Sequence, residues 1–329
     1  MLRIGIIGAA QIAPSAIVRP ASRLDGIEVV AIAAARAGAA ADFAVRHGIP
    51  RAYDSYEALI ADPEVDLVYN ALAVRDHVPL SIAALEAGKH VLCEKPIAMN
   101  AAEAARLVEA AQRTGKRAIE AFHYRHHPLF LSLLRLLDEG TLGTIRSIAS
   151  EISDVRAFDP ASVLHDPTVG GGALRHAGCY AVDWTRALVG EEPEVEWARS
   201  ARNPLGADSR FEAELSFPGG VLATIEVAMA PGSAIRPGNR VAIRGDRGSV
   251  RVENLIAPHG GHSVDLRIAG EPARVFTVAG ETSYEYQLAA VASALGSGEP
   301  LPSEGDQQVL AMSVIDALYR VVEEGKDQL

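Results

Sequence analysis

Leu2-Arg3-Ile4-Gly5-Ile6-Ile7-Gly8-Ala9-Ala10-Gln11-Ile12-Ala13 decides the fold class of this chain. The apolar run Leu2–Ile7 reads as a buried strand, a glycine-led turn follows it, and Ile12–Leu24 continues with helical spacing. A strand that passes through such a turn into a helix has the geometry a pyrophosphate requires. Gly8 permits the tight turn and a close backbone approach, while a helix N-terminus offers free N–H groups and a positive dipole end. Ala10 and Ala13 stand where the usual fingerprint has its second and third glycines, so the turn alone is an incomplete match. A tight turn in a sheet that binds something else is the competing reading.

The surroundings of the turn narrow the choice. Ile27–Ala34, Val65–Leu72, His90–Cys93 and Arg117–Ala121 read as further strands. Helical patterns at Ala37–His47, Ser55–Ala61, Pro79–Ala87 and Ala101–Thr114 lie between them. This repeated strand–helix order predicts a Rossmann-type, doubly wound parallel sheet over residues 1–122 that binds a nicotinamide dinucleotide. The helix punctuation agrees: Asn100 with Glu103 forms a capping box, and Gly88 and Gly115 stand at helix ends.

The pattern changes after Phe122. A helix at about Leu129–Asp138, a strand at Thr144–Ser153 and a helix at about Leu174–Leu188 come first. Seven short strands follow between Val195 and Thr277, separated by turns such as Pro218-Gly219-Gly220 and Gly245-Asp246-Arg247-Gly248. Helices at about Tyr284–Ala294 and Gly305–Glu324 close the chain. The expectation is an α/β protein with a second, α+β domain over residues 123–329, built on a largely antiparallel open sheet.

Composition bounds the partners. The 31 basic and 42 acidic residues leave a net charge of −11, which repels phosphate backbones and anionic lipid. No nucleic-acid or membrane partner is expected. The longest apolar stretches, such as Val29–Ala35, are far too short to span a bilayer. Two cysteines, Cys93 and Cys179, make no disulfide framework, and with no visible targeting peptide a cytoplasmic protein is expected. His123, His126 and His127 match no standard zinc spacing, so no metal is expected.

The end of the second strand bears on the cofactor. An acid there bonds the ribose 2′-hydroxyl of NAD, whereas an arginine accommodates a 2′-phosphate. Ile32-Ala33-Ala34-Ala35-Arg36 ends the strand with no acid before Asp42, which favours NADP(H) over NAD(H). A solvated arginine at a helix start is the alternative.

Three further blocks carry a family resemblance. They are Cys93-Glu94-Lys95-Pro96, Glu120-Ala121-Phe122-His123-Tyr124-Arg125-His126-His127-Pro128, and Gly170-Gly171-Gly172-Ala173-Leu174 continuing through Gly178-Cys179-Tyr180 to Asp183 and Arg186. With the phosphate turn they resemble the Gfo/Idh/MocA oxidoreductase family, nearest its dimeric dihydrodiol dehydrogenase and NADP-dependent aldose (xylose or glucose) dehydrogenase branch. The resemblance implies hydride transfer between NADP(H) and a hydroxyl-bearing carbon of a sugar, polyol or cyclic diol, in a homo-oligomer (dimer or tetramer) formed through the open sheet. It implies Lys95 as the catalytic lysine and Tyr180 as its acid/base companion. It places cofactor contacts at Gly8, Ala10, Gln11, Ile12, Arg36, Ala71, Leu72, His77, Glu94, Lys95, Pro96 and Arg125. Substrate contacts are implied at Lys95, His123, Asp166, His176 and Tyr180.

The residues supply reasons of their own. Lys95 follows the C-terminal end of a parallel strand, the edge where such sheets bind ligands. A cation there polarises a hydroxyl or carbonyl and eases ionisation of a nearby phenol. His176, Tyr180 and Asp183 are spaced i, i+4 and i+7, which predicts one shared polar face. The Gly170–Gly172 run lets backbone approach a cofactor or substrate closely.

Two departures stand out. His176 replaces the family's aspartate, offering one donor and one acceptor where a carboxylate only accepts. It marks a base, a different substrate or lost dehydrogenase activity, and the sequence leaves the three open. The family's usual Pro-Asn after the third of these strands is absent, with Val74-Arg75 in its place before Asp76-His77. A non-catalytic dinucleotide sensor, or a lyase or hydrolase with transient oxidation, are the rival functions on the same fold.

Overall fold

A computed structural model describes residues 1–325. By their contacts, Met1–His123 and Tyr284–Met312 form one unit, and Tyr124–Ser283 with the chain from Ser313 forms a second. Residues 284–312 therefore pack with the first unit, a segment that a single cut near Phe122 assigns to the second.

In the first unit the strands are β1 (Leu2–Ile7), β2 (Ile27–Ala33), β3 (Arg51–Tyr53), β4 (Leu67–Asn70), β5 (His90–Cys93) and β6 (Ala118–Glu120). They pair in parallel in the order β3-β2-β1-β4-β5-β6. This is the expected Rossmann sheet with one extra edge strand. Three residues, Arg51-Ala52-Tyr53, are too few to show a period, so β3 has no sequence signature. The strand order reverses between β1 and β4, the switch point outside which such sheets bind ligands.

One face of this sheet is filled by Ile4, Ile6, Ile32, Leu67, Tyr69, Leu92 and Ile119, packed with Leu288 and Val291 of the returning helix Ser283–Ser297. Each such buried aliphatic side chain contributes roughly 1.5–3 kcal/mol of transfer free energy. Half of the predicted capping box is present: Asn100 Oδ1 accepts from Glu103 N at 2.9 Å, whereas Glu103 Oε2 accepts from Met99 N, one residue before the cap, at 3.1 Å. The helix expected from Pro79 starts earlier, at Val74, with the proline inside it. The first helix is shorter than predicted, a π turn at Pro14–Val18 running into Arg19–Ala21. Arg19 N reaches back five residues to Pro14 O.

The second unit carries β7 (Ile145–Ser153), β8 (Glu194–Arg202), β9 (Asp208–Ser216), β10 (Leu222–Ala228), β11 (Gly238–Gly245), β12 (Gly248–Glu253), β13 (Ser263–Ile268) and β14 (Arg274–Phe276). Their order is β14-β13-β12-β11-β7-β10-β9-β8, and every pairing is antiparallel except β7 with β10. Alternation sets the two faces. Ala223, Ile225 and Val227 of β10 are buried, whereas Leu222 and Thr224, which alternate with them, are exposed. The helix Cys179–Val189 covers the buried face, and Trp184 Nε1 donates to Ser150 Oγ of β7 at 2.7 Å. That helix also begins with a π turn, Leu174–Gly178, in which Cys179 N bonds to Leu174 O. The added residue per turn breaks the 3.6-residue spacing on which the predicted His176–Tyr180–Asp183 stripe relied.

Candidate active site

In the first unit the phosphate turn behaves as its residues dictate. Gly8 adopts φ +101°, and a Cβ there would meet Leu72 Cδ2 at 2.9 Å and Ala71 O at 3.0 Å. The turn after β1 thus lies directly against the loop after β4, and only glycine fits between them. Among the described residues, the backbone N–H groups of Ala9, Ala10, Gln11 and Ile12 make no hydrogen bond within the protein. Such a run of donors at the start of a helix fits a pyrophosphate. Gln11 is exposed, and Ala10 and Ile12 are half-buried.

Arg36 follows the end of β2, exposed, with no ion-pair or hydrogen-bond partner for its side chain among the described residues. No acid bonds it, so its guanidinium is available to a phosphate.

The loops after β4 and β5 are tied together from below. His77 is 1% exposed, with Nδ1 2.8 Å from Pro96 O and Nε2 3.1 Å from Leu72 O. Burial holds its pKa below the ordinary value. Both ring nitrogens are engaged by backbone, so His77 braces Leu72 and Pro96. Asn70, fully buried, donates to His77 O at 3.1 Å and Ser81 Oγ at 3.2 Å. Glu120 Oε1 accepts from Ile97 N at 2.9 Å, fixing the chain after Pro96.

Lys95 is half-buried just beyond the C-terminal end of β5. Beside it, Glu94 accepts from Tyr69 Oη at 2.6 Å, and burial raises its carboxyl pKa against the pull of Lys95 and Tyr69. Tyr284 joins this group from the returning helix: its ring lies 4.1 Å from that of His123, centroid to centroid. Burial, then the nearby Glu94, pushes its phenol pKa up. Neither Asn70 nor Tyr284 stands out in the sequence, because no local spacing joins either to its partners.

In the second unit Arg125, expected at the cofactor, is bonded to Asp183. Its Nε and one Nη donate to Asp183 Oδ2 and Oδ1, each at 2.7 Å, and Tyr124 Oη donates to the same carboxylate. The pair is buried, at 9% and 5% side-chain exposure. Within this unit Arg125 thus anchors Asp183, and Asp183 is spent on that anchor instead of sharing a polar face with His176. Tyr180 is buried, its ring edge-on to Tyr124 at 5.9 Å.

His176 is the most open of the helix residues singled out, at 22% side-chain exposure. Its Nε2 lies 2.9 Å from Asp154 Oδ2, one residue past β7. Arg156 Nε donates to the same oxygen at 3.1 Å. The His176 hydrogen bond, with help from Arg156, holds the Asp154 carboxyl below the usual range despite partial burial. No spacing in the sequence joins Asp154 to His176.

The glycine run approaches its own chain. A Cβ on Gly171 would lie 2.5 Å from Val163 O, 2.7 Å from Leu164 O and 2.8 Å from Asp166 N. Gly172, at φ +128°, leaves room for Asp208, which accepts from Leu174 N at 2.7 Å and Tyr319 Oη at 2.9 Å. Asp166 caps the short turn after it, accepting from Thr168 N at 2.8 Å and Thr168 Oγ1 at 2.7 Å. The run therefore fixes the loop bearing Asp166. Because the obstructing atoms are backbone, Gly171→Ala is expected to cost about 1–3 kcal/mol, measurable as a lower urea midpoint at unchanged slope. An unchanged midpoint would show that the loop yields freely.

The histidines read as packed. Burial pushes His126 and His127 down to about 4, and His127 Nδ1 caps a helix by accepting from Leu129 N at 3.0 Å. Among the described residues no group of three or more His, Cys, Asp or Glu side chains is placed to hold a metal ion. Nor is any helix among them long and apolar enough to cross a membrane. Cys93 and Cys179 are buried, and neither forms a disulfide among the described residues.

Comparison with known proteins agrees with this geometry. Residues 2–122 match the oxidoreductase family with an NAD-binding Rossmann fold, and residues 130–251 match the GFO/IDH/MocA C-terminal domain. The chain is 33% identical to D-xylose 1-dehydrogenase (NADP(+)) 2 of Haloferax volcanii, over 98% of this chain and 97% of that protein. It is 34% identical to trans-1,2-dihydrobenzene-1,2-diol dehydrogenase of Xenopus laevis, over 70% of this chain and 68% of that one. KijD10, a 3-ketoreductase from Actinomadura kijaniata solved in complex with NADP and TDP-benzene, superposes with a TM-score of 0.88 at 27% identity, covering 100% of this chain and 98% of that one. On a Rossmann sheet with a phosphate-ready turn, these matches show that the chain belongs to the Gfo/Idh/MocA family and is an NAD(P)-dependent oxidoreductase.

Proposed function

We propose that this oxidoreductase uses NADP(H) to oxidise or reduce a hydroxyl-bearing carbon of a sugar, polyol or cyclic diol. The observation that carries the cofactor choice is Arg36, an exposed guanidinium at the end of β2 with no acid bonding it. The substrate class is supported by the xylose and dihydrodiol dehydrogenases that the chain resembles.

The turn after β1 and its free N–H groups would hold the pyrophosphate, and Arg36 the 2′-phosphate. Bound there, the nicotinamide supplies a hydride acceptor or donor. In the oxidative direction Tyr180 or His176 takes the hydroxyl proton as hydride leaves the carbon. The Lys95 ammonium stabilises the charge that develops on that oxygen. His77 and Asn70 hold the loops around Leu72 and Pro96 in place. The reading includes a cytoplasmic homo-oligomer, dimer or tetramer, checked by light scattering.

The test is absorbance at the reduced-nicotinamide band on mixing the protein and NADP+ with a panel of aldoses, polyols and cyclic diols. Turnover of at least one is expected; silence across the panel favours a sensor. Arg36→Ala is expected to weaken NADPH about tenfold, or about 1.4 kcal/mol, with NADH unaffected by calorimetric titration. A wild-type protein that prefers NADH would remove Arg36 from this role.

A further inference from the structure

His77 stands near the start of the helix Val74–Glu86, between the loops that follow β4 and β5. Its Nδ1 lies 2.8 Å from Pro96 O and its Nε2 3.1 Å from Leu72 O. Both partners are backbone carbonyls, which have only lone pairs to offer. A neutral imidazole carries one N–H, so it bonds one of these oxygens and turns a lone pair on the other. The shorter contact gives that N–H to Pro96, which leaves Leu72 O facing Nε2 with no proton between them. An imidazolium carries two N–H groups and bonds both. Three conditions oppose that charge: burial at 1% exposure, the Lys95 ammonium beyond β5, and the positive end of the helix dipole. Asp76, on the same helix, favours it together with the two carbonyls. Leu72 also packs against the phosphate turn, because a Cβ on Gly8 would meet its Cδ2 at 2.9 Å. A pyrophosphate on that turn brings negative charge to this loop, and negative charge favours the imidazolium.

We propose that His77 is a proton-linked clamp: it takes a proton from solvent as the dinucleotide binds, and the imidazolium then ties Leu72 to Pro96. This rests on the cofactor reading above and adds one proton to the binding step. No bond forms between His77 and the cofactor; the new proton sits on Nε2 and is donated to Leu72 O. A group that holds its proton more tightly in a complex stabilises that complex as pH falls. NADPH affinity therefore rises on acidification through the His77 midpoint of the complex. The gain is complete below the midpoint of the free protein.

The test uses the full chain and NMR of labelled histidine, with His77 assigned from its nuclear Overhauser contacts to Leu72 and Pro96. In wild type its midpoint is expected to rise by about one pH unit when NADPH is added. His77→Asn puts an amide N–H near the place of Nδ1 and never ionises, so it mimics the neutral ring. Calorimetry in two buffers of different ionisation enthalpy is expected to show proton uptake in wild type that His77→Asn lacks. Relative to that variant, wild type is expected to gain about three- to tenfold in NADPH affinity between about pH 8 and about pH 6. The comparison cancels the titration of the 2′-phosphate itself. A brace without proton linkage would weaken the variant equally at every pH. An unmoved midpoint in wild type saturated with NADPH overturns the clamp alone, whether or not the variant folds. Equal proton uptake in a folded variant does the same. If wild type binds neither NADPH nor NADH, the cofactor reading fails and the clamp fails with it.

Discussion

Lys95→Ala is expected to lower kcat by about 10²- to 10⁴-fold while NADPH still raises the melting temperature. The residue sits half-buried beyond the end of β5, at the strand edge where doubly wound sheets place ligands. Glu94 next to it is tied to Tyr69, and burial favours the neutral form of its carboxyl. A charge that acts on an oxygen only as that oxygen becomes negative contributes to the transition state more than to the ground state. Its removal therefore falls on kcat. Stopped-flow measurement with a saturating panel substrate gives kcat directly, and a thermal shift with NADPH reports cofactor binding. Full activity in Lys95→Ala would end the assignment. Loss of NADPH binding with little change in kcat would make Lys95 a cofactor ligand alone.

Arg125→Ala is expected to destabilise the second unit by about 3–5 kcal/mol. The substitution leaves the Asp183 carboxylate buried, with two of its hydrogen bonds gone and Tyr124 still donating. Water cannot take over the missing bonds at 5% exposure. Arg125→Lys keeps the charge and loses the planar fork, so its cost falls between the two. Urea unfolding of the three proteins measures this order. If instead stability holds and NADPH affinity drops, Arg125 belongs to the cofactor site and the anchor reading fails.

The two predictions also mark what was legible in the sequence. The Rossmann sheet, its switch point and the phosphate turn were readable because their signals are local. Apolar runs, caps and one glycine at positive φ are properties of neighbouring residues. The position of Lys95, just past the end of β5, was readable for the same reason, since it follows an apolar run. The bonds of Arg125 to Asp183 were not readable, because that partner lies far along the chain. The Asp154–His176 and Asp208–Leu174 bonds have no spacing to announce them, since a strand end and a helix meet only in three dimensions. The polar stripe expected from His176 to Asp183 failed through a backbone detail. A π turn adds a residue where helical counting assumes none.

The return of residues 284–312 to the first unit has a consequence for how the protein is made. A ribosome delivers the chain N-terminus first. The six strands of the parallel sheet are complete by Glu120, yet Leu288 and Val291, part of its core, emerge only after the whole second sheet. At roughly 5–20 residues per second this delay lasts on the order of ten to thirty seconds. Throughout it, the pairing of Arg117 with Glu304 and the bond from Gln308 to Ala118 O are also missing. The nascent sheet is therefore an open apolar surface beside a growing polypeptide, and a fragment cut at Phe122 never leaves that state.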